Sequence, residues 1–328
     1  MGKHRTRASA EPMRWAGSEP DAAPVAIGPG LEGNAFDIRM SEEPDGLDAA
    51  KRIVDVIATR GVCLVEANAP GAMLEQACDE AEELWASGAF GPPMRVQDGR
   101  SLVEAQHWQH TLRDEDRVCW LPPAAAPAAA AGRRNITALR ALAGNVADFA
   151  AGLGPLLNER LGLGCDTQSH AMLSCYTGER SYDLHLDNPH AMASSLEAAG
   201  DGREAAGAPP DNSLRLTAVY YLNTQWDPSE EVGRSCAGGL DVQLTDASAA
   251  PGSLLAAAKA PRLRAAPHAD TLALFLAERA AHRVVATEGS QRWFCMTVWT
   301  MNGAALQRMR EGLLAPPAAG CEDDSGED

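Results

Sequence analysis

The chain has 328 residues, with 28 basic against 45 acidic side chains and a formal net charge of −17. That balance repels phosphate backbones and anionic lipid, which argues against nucleic acid or a membrane surface as partner. The length exceeds one typical domain of roughly 100–200 residues, so one large domain with appendages and two smaller domains both remain open. Eight scattered cysteines with no C-x-x-C pair point to free thiols in a reducing compartment. No signal peptide and no run of about 18 apolar residues is found, so the expectation is a cytoplasmic or nuclear protein with no transmembrane anchor.

Residues 1–40 mix Pro, Gly, Ala and charge without periodicity and are expected to be disordered. Met1-Gly2-Lys3-His4-Arg5-Thr6 satisfies the short, common pattern for N-myristoylation, for which a disordered basic start is the plainer reading. Residues 41–165 are expected to form a helical support region. There Leu47, Ala50, Ile53, Val54 and Ile57 recur at helical spacing, Gly61 stands where a helix would end, and a strand follows over 62–65. A second helix is expected over 72–85, a Pro/Ala loop over 122–132 and a long helix over 136–161. His107 and His110, which flank Trp108 and Gln109, read as structural or solvated histidines rather than metal ligands.

Over 166–303 the pattern changes to short β-rich runs at 171–176, 214–222, 240–244, 271–276, 284–286 and 293–300. Many short strands separated by turn residues predict a jelly roll or barrel, and with the preceding helices an α+β class. Two Ala/Gly/Pro-rich inserts, 191–212 and 248–267, are expected to be surface loops or short helices. Residues 304–328 read as an acidic tail. There is no internal repeat, no G-x-x-x-x-G-K phosphate loop and no G-x-S-x-G elbow.

The segment Tyr182-Asp183-Leu184-His185-Leu186-Asp187-Asn188-Pro189 carries the chemistry. On a strand, His185 and Asp187 project from one face, as two ligands of one metal must. His282, at the start of a distant β run, is the natural third ligand. Two imidazoles and one carboxylate on one side of a metal leave the other positions open, which is the need of a non-haem Fe(II) oxygenase. An H-x-D pair alone is equally a solvated edge or a hydrogen-bonded pair. Arg292, ten residues beyond His282, adds a bidentate partner for a carboxylate, and its alternative reading is an exposed ion pair.

Several further motifs stand in a recognisable order: Met172-Leu173-Ser174-Cys175-Tyr176-Thr177-Gly178, then Tyr182 with His185-Leu186-Asp187-Asn188-Pro189, Val219-Tyr220-Tyr221-Leu222-Asn223 followed by Trp226, Gly238-Gly239-Leu240 and Met296-Thr297-Val298-Trp299. Over roughly residues 45–302 the chain resembles the Egl-nine type prolyl 4-hydroxylases, whose oxygen-sensing animal members hydroxylate hypoxia-inducible factor. The resemblance implies a double-stranded β-helix (jelly roll) core with supporting N-terminal helices and iron on His185, Asp187 and His282. It also implies 2-oxoglutarate anchored by Arg292 and the Tyr221 hydroxyl, Tyr176 near the cosubstrate and Tyr182 lining the pocket. The implied partners are Fe(II), 2-oxoglutarate, O2, ascorbate as an accessory reductant, and a protein or peptide substrate containing proline. Rival readings are an oxygenase of a small molecule and an inactive jelly-roll binding protein.

One departure bears on the site. Arg292 and Trp299 are seven residues apart, which puts them on opposite faces of a regular strand, whereas the family's arginine and tryptophan share a face. Either a β-bulge restores both or one assignment is wrong. Cys175 and Cys295 fall in strand patterns and read as small buried apolar residues.

Overall fold

The computed structural model describes residues 25–26, 36–43, 45–91, 117–121, 136–178, 181–189, 211–226, 238–245, 262–287 and 292–314. Outside them lie the myristoylation pattern, His107 and His110, the 122–132 loop, most of both inserts and the acidic end. In chain order the strands are β1 (Val25–Ala26), β2 (Ile38–Arg39), β3 (Val62–Glu66), β4 (Val118–Trp120), β5 (Cys165–Gln168), β6 (Met172–Thr177) and β7 (Tyr182–His185), then β8 (Leu214–Tyr221), β9 (Leu240–Gln243), β10 (Arg262–Ala265), β11 (Thr271–Leu276), β12 (His282–Val284) and β13 (Arg292–Asn302). The helices are α1 (Gly46–Arg60), α2 (Gly71–Ala86), α3 (Thr137–Leu161) and α4 (Gly303–Leu314).

Two sheets face each other. The larger runs β2-β3-β11-β8-β13-β6-β4, with β5 also paired to β13, and the smaller runs β1-β10-β9-β12-β7. This is the expected jelly-roll core in an α+β setting. Every residue of β8 and β11 is buried, because the large sheet is covered on both faces. One face takes the helices: Ile53 and Ile57 of α1, Leu74 of α2 and Leu139 of α3 pack with Leu216, Leu274, Phe294 and Met296. The other face closes on the smaller sheet, where Val219, Tyr221, Phe275, Trp293 and Cys295 meet Val242, Leu263 and Val284. Even-numbered residues of β13 thus turn toward the helices and odd-numbered ones toward the space between the sheets.

Local chemistry explains the elements. Asp45 caps α1 by accepting from the Leu47 N–H at 2.7 Å, and Gly61 ends it in the left-handed region at φ 81°. A Cβ on Gly61 would lie 2.7 Å from the Thr245 carbonyl oxygen, so both conformation and space require glycine there. The start of α3 has no local side-chain cap. Instead Glu80, buried on α2, accepts from the N–H groups of Ala138 (3.1 Å) and Leu139 (2.9 Å), so one helix closes the end of its neighbour.

Four expectations are corrected. The insert expected over 248–267 contains β10, which pairs antiparallel with β9. The strand expected over 284–286 lies over His282–Val284, because pairing with β7 and β9 begins at the histidine. The segment expected to be disordered up to residue 40 contributes β1 and β2 to the two sheets. The expected tail begins as α4, with Leu306 and Met309 buried against Leu214, Trp299 and Met301. The support region also lends β3 to the large sheet, where it pairs with β11. No helix among the described residues is long and apolar enough to cross a membrane.

Candidate metal centre

β7 and β12 run antiparallel with His185 directly opposite His282, and the two rings lie 4.2 Å apart between centroids. Asp187 follows β7, with the next residue held by the Asn188 N–H donating to the Ala277 carbonyl at 2.9 Å. One ligand atom from each of His185, Asp187 and His282 lies within 4.8 Å of the other two. Each histidine Nδ1 faces a backbone carbonyl, Asp183 at 2.8 Å for His185 and Ala280 at 3.1 Å for His282. This orients both Nε2 atoms toward Asp187 Oδ1, at 3.4 and 3.5 Å.

The other carboxylate oxygen, Oδ2, accepts from the Thr217 hydroxyl at 2.6 Å and from the Trp299 indole N–H at 2.9 Å. One oxygen is thereby tied to the barrel and the other left facing the histidines. Burial alone would raise the Asp187 pKa, but the two imidazoles and the Thr217 hydroxyl outweigh it and hold the carboxyl well below its usual range. Burial, reinforced by His185, pushes His282 down to about 4, so near neutral pH it carries a lone pair ready for a metal. One imidazole nitrogen from each histidine and an ionised carboxylate suit Fe(II), so the donor chemistry fits iron.

Behind the aspartate stands a buried polar network. Asn212 donates to the Asp187 carbonyl at 2.5 Å, Asn188 donates to Asp211 Oδ1 at 2.8 Å, and Arg215 clasps Asp211 at 3.0 and 2.6 Å. Thr217, Asn212, Asp211 and Arg215 were not among the residues singled out as site candidates. An H-x-D pattern carries no mark of what supports it.

A cavity opens beside the three ligands. Tyr176, Tyr182, Tyr221, Trp293 and Trp299 are among its walls. Tyr182 packs against His185 at 4.4 Å between ring centroids, while Tyr176 stacks on Trp293 at 4.4 Å. Tyr176, Tyr182 and Tyr221 thus line one pocket. Arg292 does not join them. β13 is regular over 292–297 against β6, without a bulge, so Trp299 and Trp293 face inward and Arg292 faces outward. There Arg292 pairs with Glu82 of α2, its Nε 3.0 and 2.8 Å from the two carboxylate oxygens, and is 41% exposed. The alternative reading of Arg292 as an exposed ion pair is the one its surroundings support.

Residues 171–301 match the model of the 2OG-Fe(II) oxygenase superfamily. No curated protein sequence matches the chain. Among solved structures, a prolyl hydroxylase from Trichoplax adhaerens, in complex with a hypoxia inducible factor oxygen degradation domain peptide fragment, is similar with a TM-score of 0.51 and 18% identity, over 84% of this chain and 99% of that one. A prolyl-4-hydroxylase from Pseudomonas putida aligns with a TM-score of 0.46 and 18% identity, over 77% of this chain and 98% of that one. A non-heme alpha ketoglutarate dependent carbocyclase from nogalamycin biosynthesis aligns with a TM-score of 0.47 and 12% identity, over 83% and 93%. The superfamily uses Fe(II), 2-oxoglutarate and O2, and the stretch of this chain that folds around His185, Asp187 and His282 is similar to it in sequence and similar in fold to a prolyl hydroxylase.

Proposed function

We propose that the protein is a Fe(II)- and 2-oxoglutarate-dependent dioxygenase that hydroxylates a prolyl residue within a protein or peptide, with release of succinate and CO2. The observation that carries the reading is the three-residue donor set at the side of a mostly apolar pocket within a stretch that matches the 2OG-Fe(II) oxygenase superfamily. When bound, iron and 2-oxoglutarate supply the activation of O2 needed to oxygenate an unactivated C–H bond.

The chain's own residues hold and shield. His185 and His282 present Nε2 because their Nδ1 atoms are engaged by backbone carbonyls, and Asp187 presents one oxygen because Thr217 and Trp299 hold the other. Apolar walls such as Val219, Leu240 and Val284 keep water from the reacting atoms. Tyr182 packs against His185, and Tyr176 and Tyr221 lie against Trp293 in the same pocket.

A polypeptide substrate is supported by the ordered prolyl hydroxylase motifs and by the fold likeness to the Trichoplax enzyme, whose structure contains a peptide. The rigid ring of proline loses little freedom when positioned beside the metal. With a net charge of −17 the protein would attract a neutral or basic peptide more readily than an acidic one. The six described cysteines are all free, in keeping with a cytoplasmic or nuclear setting. The test is incubation of iron-loaded protein with cell-extract proteins, 2-oxoglutarate and O2, with ascorbate present, followed by mapping of oxygen additions by tandem mass spectrometry. Oxygen on specific prolines is the expected result. Turnover raised by a metabolite fraction, with no proline modified, would establish the small-molecule reading instead.

A further inference from the structure

We infer that Asn212 is a positioning residue of the metal centre, whose side-chain amide fixes the main chain of the ligand Asp187. The inference rests on the reading of His185, Asp187 and His282 as metal ligands, and it makes the return end of the 191–212 insert part of the site.

Asp187 needs a support that the two histidines do not. His185 ends β7 and His282 begins β12, and the two are directly paired, so the ladder of the smaller sheet places both. Asp187 lies two residues past the end of β7, outside that ladder. Thr217 and Trp299 hold its carboxylate, which fixes one end of the residue only. The other end is held by Asn212, whose Nδ2 donates to the Asp187 carbonyl at 2.5 Å.

Asn212 is 9% exposed and lines the same cavity as the three ligands. Its Oδ1 accepts from the Leu214 N–H at 3.2 Å while Nδ2 donates to Asp187, so only one orientation of the amide satisfies both partners. The chain turns behind it through Ser213, a buried residue at φ 69°, in the left-handed region that favours glycine. A non-glycine residue keeps that conformation where its surroundings impose it, and such residues cluster at functional sites. Here the Ser213 N–H donates to Asp211 Oδ1 at 2.8 Å, the oxygen that also accepts from Asn188 and Arg215. Asp211 thus already ties this turn to the residue after the ligand. The Asn212 bond adds a hold on the ligand itself, so its loss falls on where Asp187 stands. Outer contacts that orient a ligand typically carry about 10- to 100-fold of metal affinity.

The experiment titrates the full chain with Co(II), which takes the same donor types as Fe(II) and reports its ligand geometry in visible absorption bands. Asn212→Ala is expected to bind Co(II) about 10- to 100-fold more weakly than wild type and with altered bands. Glu80→Ala, which removes the cap of α3 on the helix-covered side of the large sheet, controls for a general loss of stability. It is expected to bind Co(II) within about twofold of wild type with unchanged bands. A second measurement needs no variant to fold: in wild-type protein labelled with 15N at asparagine side chains, Zn(II) is expected to shift the Asn212 amide resonance. If Asn212→Ala loses no more affinity than Glu80→Ala and keeps the wild-type bands, or if the Asn212 resonance stays still while Zn(II) binds, the inference is overturned and the metal assignment stands. If wild type binds no Co(II), or if Asp187→Ala leaves its affinity and bands unchanged, the metal centre itself fails, and this inference with it.

Discussion

Trp299 donates its indole N–H to Asp187 Oδ2 at 2.9 Å, and this bond ties the facing of β13 to the metal centre. With Trp299 inward, Thr297, Cys295 and Trp293 are inward too, and all four line the cavity. Arg292, seven residues from Trp299, is then outward, where α2 offers it Glu82. The parity conflict visible in the sequence is resolved in favour of the tryptophan.

Trp299 is a positioning residue, and its removal should be read in metal affinity. Trp299→Phe keeps an aromatic ring, though a smaller one, and removes the donor to Oδ2, leaving Thr217 alone on that oxygen. Loss of such an outer contact lowers metal affinity by about 10- to 100-fold, so Fe(II) titration under anaerobic conditions should show a drop in that range with the fold intact. Unchanged affinity would mean that Thr217 suffices.

Direct ligands should behave more severely. Asp187→Ala and His282→Ala each remove one of the three donors, and both variants should purify with little iron and consume no 2-oxoglutarate. Metal analysis by mass spectrometry checks this, and normal iron occupancy in either variant would displace the centre from this triad. Because Asp187 supplies the only carboxylate of the three, its variant should retain the least metal.

Glu80 supports α3 from a neighbouring helix, so its effect should appear in stability and not in metal binding. Glu80→Ala leaves the Ala138 and Leu139 N–H groups without their acceptor and should cost about 1–2 kcal/mol, the scale of a lost helix cap. Glu80→Gln, which keeps one acceptor oxygen, should lose less. Urea unfolding measures both, and faster amide exchange in the first turn of α3 would locate the effect.

The Asp211–Arg215 pair is buried on both sides, with side chains 5% and 7% exposed. Arg215→Ala would strand a buried carboxylate beside Asn188 and should destabilise by about 3–5 kcal/mol. Burial raises the Asp211 pKa, but Arg215, Asn188 and the Ser213 N–H outweigh it, and the folded-state value is lowered. A lowered carboxyl contributes stability that is present above its unfolded value of about 3.9 and is lost as pH falls through the folded value. The deficit of Arg215→Ala relative to wild type should therefore be full at pH 6 and narrow below about pH 4 in thermal unfolding.

What the sequence alone determined is local or ordered. The spacing of Leu47, Ile53 and Ile57 with Gly61 behind them marks α1, because one turn of helix and one left-handed residue are short-range requirements. The H-x-D spacing puts two candidate ligands on one strand face, and the order of motifs from Met172 to Trp299 points to the jelly roll and to His282 as the third ligand. Tertiary structure decided what depends on which side of a covered sheet a residue faces. β13 is buried on both faces, so hydrophobicity does not alternate along Trp293-Phe294-Cys295-Met296-Thr297-Val298, and the sequence carries no signal of its facing. Pairing with β6 and β8 sets that facing, which is why Arg292 leaves the pocket and Trp293 enters it. The same limit applies to Glu80 of α2, which closes the start of α3, and to Asp211 and Arg215 behind Asp187, whose roles arise from elements distant in sequence that only the packed chain brings within hydrogen-bond reach.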